Sequence, residues 1–169
     1  MRIFVTGKPG VGKTTLALRA WERFKGDARI AGFVTEEVRE RGRRVGFRIR
    51  ALDTGEEGWL ARVGKGDVMV GRYAVNLEDL ERVGVSALRR ALNSELAIVD
   101  EIGAMEMKSR AFAEALDELL RSDVPLLATV HRRFAHQFRN YGELYTLTIE
   151  NRENLTLEIL EKLQQHLGR

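Results

Sequence analysis

The chain has 169 residues, of which 44% are hydrophobic and 31% charged, so we expect a single compact domain over residues 1–169. Its formal net charge of +3 suits an anionic ligand but is too small to predict a nucleic-acid partner, and the lack of cysteine excludes disulfides, thiolate metal sites and cysteine nucleophiles. No apolar run is long enough for a membrane span or a secretory signal, so we expect a cytoplasmic protein with no membrane partner.

The first predicted elements are a buried strand, a glycine-rich segment and a helix. Residues 2–6 (RIFVT) form a short apolar run that ends at a glycine, which is typical of a buried strand. After Lys13, apolar side chains recur at helical spacing as far as Lys25. Between strand and helix, residues 7–14 match the pattern G-x-x-x-x-G-K-[ST] of a phosphate-binding loop.

The residue types of this loop have chemical reasons. Glycines allow backbone N–H groups to approach phosphate oxygens, and the following helix presents free N–H groups and its positive dipole end to an anion. Lys13 is placed to reach the β- and γ-phosphates, and the Thr14 hydroxyl to bind Mg²⁺. We predict that a nucleoside triphosphate or diphosphate binds to this segment, which consists of Gly7, Lys8, Pro9, Gly10, Val11, Gly12, Lys13 and Thr14.

Residues 28–75 indicate a β-rich region inserted into this pattern. IAGFVTEEV and RVGFRIRAL flank RERGRR, and apolar residues alternate with polar ones, which predicts an antiparallel hairpin. Turns at 53–58 and 63–67 follow, and then a short strand within 68–75. The arginines near the hairpin tip predict a solvated face with cross-strand ion pairs. The alternative is an anion-facing flap over the nucleotide or an RNA contact.

Helices and buried strands alternate over the rest of the chain. Asn76 and Ser109 are predicted N-caps of two helices, the first of which Gly84 can split, and a last helix follows Asn151. Three further buried strands are predicted at 96–100, 125–130 and 144–149. This order predicts an α/β fold with a largely parallel central sheet that is covered by helices on both faces.

The strand at 96–100 ends at Asp100, which is followed by Glu101. Ligands of open α/β sheets bind at the carboxyl ends of the strands, so Asp100 is placed to hold Mg²⁺ together with Thr14. A carboxylate beside it can accept a proton from the water that attacks the γ-phosphate. A small-molecule kinase must exclude such water, so the acid at this position favours hydrolysis over transfer to an acceptor. We predict that Lys13 and Glu101 are the catalytic residues.

Further candidates lie after the last two strands. Thr129 or His131 is placed to sense the γ-phosphate by hydrogen bonding. Asn151 and Arg152 lie where a base contact is common, with a plain helix N-cap as the alternative for Asn151. An arginine is expected to stabilise the transferring phosphate, and three candidates stay open: Arg132, Arg133 and Arg139.

Several stretches together resemble one family. GKPGVGKTTL, GFVTEEVRERGRRVGFRI, VGRYAV, LAIVDEIGAMEMKSRAF and TIENR occur in this order. They resemble the THEP-type nucleoside-triphosphatases, which are named for thermophiles and related to the cancer-related nucleoside-triphosphatase. The resemblance covers essentially the whole chain. It implies a RecA-like P-loop NTPase fold and Mg²⁺-dependent hydrolysis of several nucleoside triphosphates, such as ATP and GTP, with loose base selectivity.

By motif, the resemblance carries over two stretches of site residues. The first is the phosphate-binding loop, and the second consists of Asp100, Glu101, Ile102 and Gly103. One position departs from the family pattern, because Ala104 stands where the family usually has lysine. If that lysine touches nucleotide in the relatives, affinity or rate differs here. The high charge content and few amides also suit a thermophile.

Two other functions stay open from the residues themselves. A nucleoside or small-metabolite kinase needs an acceptor pocket, which residues 28–75 can form. An NTP-switched module that binds RNA or protein would use the arginine-rich hairpin. A dedicated GTPase is disfavoured, because Asp-x-x-Gly at 100–103 is not followed by a guanine-reading Asn/Thr-Lys-x-Asp. We expect a monomer or a weak oligomer.

Overall fold

The computed structural model describes residues 1–168, whose strands form one mixed sheet. In chain order the strands are β1 (Arg2–Gly7), β2 (Ile30–Glu40), β3 (Arg43–Ala51), β4 (Glu57–Val63), β5 (Met69–Val70), β6 (Tyr73–Val75), β7 (Leu96–Ile102), β8 (Leu126–Val130) and β9 (Glu143–Leu147). Their order across the sheet is β5-β6-β4-β3-β2-β7-β8-β1-β9.

The helices connect these strands. They are α1 (Lys13–Phe24), α2 (Leu77–Asp79), α3 (Ser86–Ala91), α4 (Arg110–Leu120), α5 (Arg132–Ala135) and α6 (Arg152–Leu167). The predicted caps are confirmed: the Asn76 side chain accepts from the N–H of Asp79 at 2.9 Å, and Ser109 from that of Phe112 at 3.1 Å. Within the described part of the chain, no helix is both long and apolar enough to span a bilayer.

Gly84 does not split the helix that begins after Asn76. The stretch Leu80–Val85 is π-helical and joins α2 to α3 without a break. A Cβ on Gly84 would lie 2.9 Å from Cδ1 of Ile49 on β3. The glycine therefore allows this helical stretch to approach the sheet closely.

Five neighbouring strands, which end at the edge strand β9, run parallel in the order β2, β7, β8, β1 and β9. Their carboxyl ends consequently lie at one edge, where ligands of α/β sheets bind. The predicted largely parallel sheet is confirmed. In addition to the four predicted buried strands, its parallel part contains a fifth, which is the first half of β2. Residues 30–34 are all buried, whereas the second half of β2 is polar and exposed in part, so one strand serves both the core and the hairpin.

The predicted hairpin is present, because β2 pairs antiparallel with β3. β4, which extends the sheet on the far side of β3, was not predicted from the sequence. Its seven residues lie between two glycine-rich turns, which obscured its pattern. It is held in part by Asp79, whose carboxylate accepts from the N–H of Trp59 at 2.8 Å. The single strand predicted within 68–75 is a pair, β5 and β6.

Apolar clusters cover both faces of the sheet, as predicted for buried parallel strands. On one face Phe4 and Phe33 lie in a cluster with residues of α3 and α4, and the ring centroids of Phe33 and Phe112 are 5.8 Å apart. On the other face Ile3 and Val5 pack with residues of α1 and α6. The alternation along β1 therefore fixes the strand between two helical layers.

Gly32 is the backbone position in β2 with the least space. Its φ is +120°, and a Cβ there would lie 1.8 Å from the carbonyl oxygen of Ile98 on β7. We expect Gly32→Ala to lower the free energy of unfolding by about 4 kcal/mol or more, because the clash is with backbone. Urea denaturation measures this. Gly26→Ala, a position with no atom within 4 Å of the added Cβ, is the control, and equal midpoints for the two variants would contradict the prediction.

Candidate active site

The glycine-rich segment lies at the carboxyl edge of the sheet. β1 ends at Gly7 and α1 begins at Lys13, so the segment connects a strand end directly to a helix N-terminus. Gly10 and Gly12 have φ angles of 77° and 114°, which residues with a side chain rarely adopt. Gly12 precedes α1 without a side-chain cap, and no acidic residue stands in the first turn. The first N–H groups of α1 are therefore suited to bind an anion.

Lys13 and Glu101 meet across this edge. The ammonium of Lys13 lies 3.2 Å from Oε2 of Glu101 and donates to the carbonyl of Gly7 at 2.9 Å. The Lys13 side chain is 9% exposed and that of Glu101 27%. The structure thus brings the loop and the acidic strand end to one place.

Asp100 lies beneath this pair and is 1% exposed. It accepts hydrogen bonds from the hydroxyls of Thr14 at 2.9 Å and Thr129 at 2.6 Å, and the N–H of Thr35 on β2 donates to it at 3.5 Å. Burial is the main cause that raises the pKa of Asp100 to about 6, and the two hydroxyl hydrogen bonds oppose the rise. Within residues 1–168 it makes no ion pair, so a cation here would stabilise its charged form.

The two γ-phosphate sensor candidates have different surroundings. Thr129 is buried, and its hydroxyl donates to Asp100. His131 caps α5 instead, because its ring Nδ1 accepts from the backbone N–H of Arg133 at 3.1 Å. The backbone N–H of His131 donates to the carbonyl of Ile102 at 3.0 Å. Thr129 therefore belongs to the Asp100 network, and His131 holds the ends of β8 and β7 together.

β7 ends at Ile102, directly after Glu101, and the chain then turns. The side chain of Ile102 is buried in the apolar core, so only its backbone can face a ligand. Gly103 is buried, and the next acidic residue, Glu106, is 4% exposed. Glu106 lies in a stretch that carries the family resemblance but was not predicted as a site residue, because nothing in its residue type or its neighbours Met105 and Met107 indicates burial.

The three candidate arginines are exposed. Arg132 and Arg133 lie in α5, directly after the carboxyl end of β8. Past Arg139 the chain runs to the opposite edge, since the carbonyl of Tyr141 accepts a hydrogen bond from Arg2 at the start of β1, at 3.4 Å. The position of α5 therefore favours Arg132 and Arg133 over Arg139.

The turn between β9 and α6 borders the phosphate-binding loop. Asn151 does not cap α6 with its side chain; its Oδ1 accepts from the N–H of Thr148 at 2.7 Å, and its Nδ2 donates to the carbonyl of Thr146 at 2.9 Å. Cδ of Arg152 lies 4.0 Å from where a Cβ on Gly12 would stand. Arg152 is thus brought to the loop, while the Asn151 amide closes the turn.

Side chains of the arginine-rich hairpin contact one another in ion pairs and ring packing. Glu37 pairs with Arg39 and, at 2.9 Å, with Arg44. The ring of Tyr73 packs edge-on against Phe47 with centroids 5.3 Å apart. These contacts agree with the predicted solvated face of ion pairs.

Comparisons with known proteins give one consistent answer. A family model described as NTPase matches residues 2–160. The nucleoside-triphosphatase THEP1 of Methanocaldococcus jannaschii is 57% identical over 165 residues, which cover 96% of this chain and 97% of that protein. The nucleoside-triphosphatase THEP1 of Pyrococcus abyssi is 48% identical over 171 residues, which cover 100% of this chain and 96% of that protein.

Two solved structures share the fold. The crystal structure of THEP1 from the hyperthermophile Aquifex aeolicus matches with a TM-score of 0.85 and 35% identity, covering 97% of this chain and 99% of that chain. The solution structure of a human cancer-related nucleoside triphosphatase matches with a TM-score of 0.79 and 34% identity, covering 97% of each chain. Both similarities therefore extend over almost the whole chain.

Proposed function

The chain belongs to the NTPase family and hydrolyses nucleoside triphosphates, and we propose that it does so with Mg²⁺, with Glu101 activating the attacking water and with loose selectivity for the base. The observation that carries the proposal is the 3.2 Å pair of Lys13 and Glu101 at the mouth of the phosphate-binding loop. The pair supports a site in which an ammonium that binds phosphate, Lys13, lies beside a carboxylate that accepts a proton, Glu101.

In this proposal residues 7–14 bind the phosphates. Backbone N–H groups of the loop and of the first turn of α1 donate to phosphate oxygens. The ammonium of Lys13 leaves Glu101 for the β- and γ-phosphates when nucleotide binds. This exchange frees the Glu101 carboxylate, so nucleotide binding itself prepares the base.

Thr14 and Asp100 would hold the Mg²⁺. The hydroxyl and the carboxylate are the hard oxygen donors that this ion prefers, and they lie 2.9 Å apart. Asp100 is a buried carboxylate with no cationic partner in the described residues, which is a site that fits a divalent cation. When bound, Mg²⁺ would neutralise negative charge that develops on the phosphate oxygens.

Glu101 would act on the water that attacks the γ-phosphorus. As the new oxygen–phosphorus bond forms, the water proton passes to the Glu101 carboxylate and the bond between the β–γ bridging oxygen and the γ-phosphorus breaks. The electron pair of that bond leaves with the diphosphate. Arg132 or Arg133 on α5 would add positive charge near the transferring group.

Loose base selectivity is supported by the side chains beside the loop. Ile149, in the turn before α6, is 70% exposed, and Arg152 reaches the loop. An apolar side chain and a guanidinium plane contact the face of any base, whereas the Asn151 amide is already engaged. Contacts with the face of a base are open to every base, which supports loose base selectivity.

The proposal is tested by initial rates on ATP, GTP, CTP and UTP with and without Mg²⁺. We expect kcat/KM values within about tenfold of each other, which corresponds to about 1.4 kcal/mol of discrimination. Chelation by EDTA is expected to lower every rate about 100-fold or more, with recovery on adding Mg²⁺. A preference above about 1,000-fold for one base would contradict loose selectivity, and rates insensitive to EDTA would contradict the metal assignment.

A further inference from the structure

The carboxyl group of Glu106 is buried beside the candidate active site, and one of its two oxygens has no partner among the described residues. The residue is 4% exposed, and its Oε2 has no hydrogen-bond partner. An ionised carboxylate in such a place costs several kcal/mol. Burial, followed by the nearby negative charge of Glu101, raises the pKa of Glu106 well above its ordinary value. Both considerations indicate a neutral carboxylic acid.

Glu106 and Glu101 face the same small space. A Cβ on Gly103 would lie 3.3 Å from Oε1 of Glu101 and 3.5 Å from Oε1 of Glu106. The chain turns back at this point, because the N–H of Met107 donates to the carbonyl of Gly103 at 3.0 Å. The lack of a side chain at Gly103 thus leaves open a space that one oxygen of each carboxyl group borders.

The charged groups around Glu106 are mainly acidic. β7 contributes Glu101 and Asp100, whose charges both disfavour ionisation of Glu106. From α4, Arg110 pairs with Glu114 at 3.1 Å on the exposed side. Lys13 is paired with Glu101. Ser109, which follows the turn of Glu106, donates to Glu81 at 2.7 Å.

We propose that Glu106 is a positioning residue for Glu101: as a neutral acid it donates a hydrogen bond across the space at Gly103, directly or through one water. Two carboxyl groups that share one space cannot both ionise cheaply, so the proton stays on the more buried one. The hydrogen bond then holds the Glu101 side chain in its orientation when nucleotide takes Lys13 away. The inference rests on the proposed role of Glu101 as the base.

The test uses Glu106→Gln and Glu106→Leu, each in the wild-type and in the Glu101→Gln background. Phosphate release from radiolabelled ATP gives kcat and KM, and thermal melting reports folding. Glu106→Gln is expected to keep kcat within about threefold, because its amide can donate in place of the acid. Glu106→Leu, which cannot donate, is expected to lower kcat at least about tenfold with KM changed less than about twofold.

In the Glu101→Gln background, Glu106→Leu is expected to change kcat by less than about twofold, because the residue it positions is no longer a base. An equal loss in both backgrounds, or wild-type kcat in Glu106→Leu, would overturn the inference. If Glu106→Leu shows no cooperative melting, the turnover of Glu106→Gln is the deciding measurement. A kcat near that of the wild type supports a neutral hydrogen-bond donor at this position, and a kcat lowered more than about tenfold overturns the inference. Full activity of Glu101→Gln alone would instead refute the proposed base.

Discussion

Replacing Glu101 with glutamine is expected to lower kcat by about 10²–10⁴-fold while nucleotide affinity changes by less than about threefold. The amide keeps the shape of the side chain but cannot accept the proton of the attacking water. Affinity is retained because Glu101 pairs with Lys13 in the absence of nucleotide, and loss of that pair leaves the ammonium available to phosphate. Phosphate release measures turnover, and titration with a fluorescent nucleotide analogue measures binding.

The matched control for this variant is Glu158→Gln, an exposed acid on α6. It removes the same charge far from the loop and is expected to leave both quantities unchanged. Unchanged turnover in Glu101→Gln would remove the residue from the chemical step. A large loss of affinity would instead assign Glu101 the structural task of holding Lys13 in place.

The sequence was sufficient where the signal is contiguous. The phosphate-binding loop is a run of eight residues whose glycines and lysine are each required by local chemistry. β1, β7 and β8 are short apolar runs, buried on both faces, and such runs are recognised from composition alone. Because the carboxyl ends of parallel strands share an edge, the meeting of Lys13 and Glu101 followed from these elements without knowledge of the contacts.

Tertiary contacts decide the features that the sequence did not predict. Thr35 lies at the junction where β2 leaves the core for the hairpin, and its N–H reaches Asp100 only because β2 and β7 are neighbours. Glu106 is buried because the turn after Gly103 folds back beside Glu101. In both cases the partner is set by strand order and turn geometry, which no local pattern of residue types specifies.

Asn151 shows the same limit within a few residues. Its type and place before a helix predict an N-cap, yet its side chain bonds to Thr146 and Thr148 and closes the turn. Either arrangement satisfies the amide. β9 pairs with β1 as far as Gly7, and this pairing places the turn that follows β9. The contacts that set the Asn151 side chain therefore lie outside the helix.

Replacing Lys13 with alanine is expected to raise the Kd for ATP about 30-fold or more, since truncating one partner of a desolvated charge pair costs about 2–5 kcal/mol. The Lys13 side chain is 9% exposed, and its ammonium donates to the carbonyl of Gly7 at the start of the loop. Its removal also leaves the charge of Glu101 facing the phosphates unopposed. Calorimetric titration with ATP and ADP measures the change, and thermal melting confirms that the variant is folded.

Lys25→Ala is the matched control, because Lys25 ends the same helix in an exposed ion pair with Glu22 and is expected to change Kd less than about twofold. The comparison of nucleotides locates the ammonium. ADP has no γ-phosphate, so its affinity should fall less than that of ATP if Lys13 contacts both terminal groups. An equal fall would place the contact at the β-phosphate alone, and unchanged affinity for both would place Lys13 outside the phosphate site.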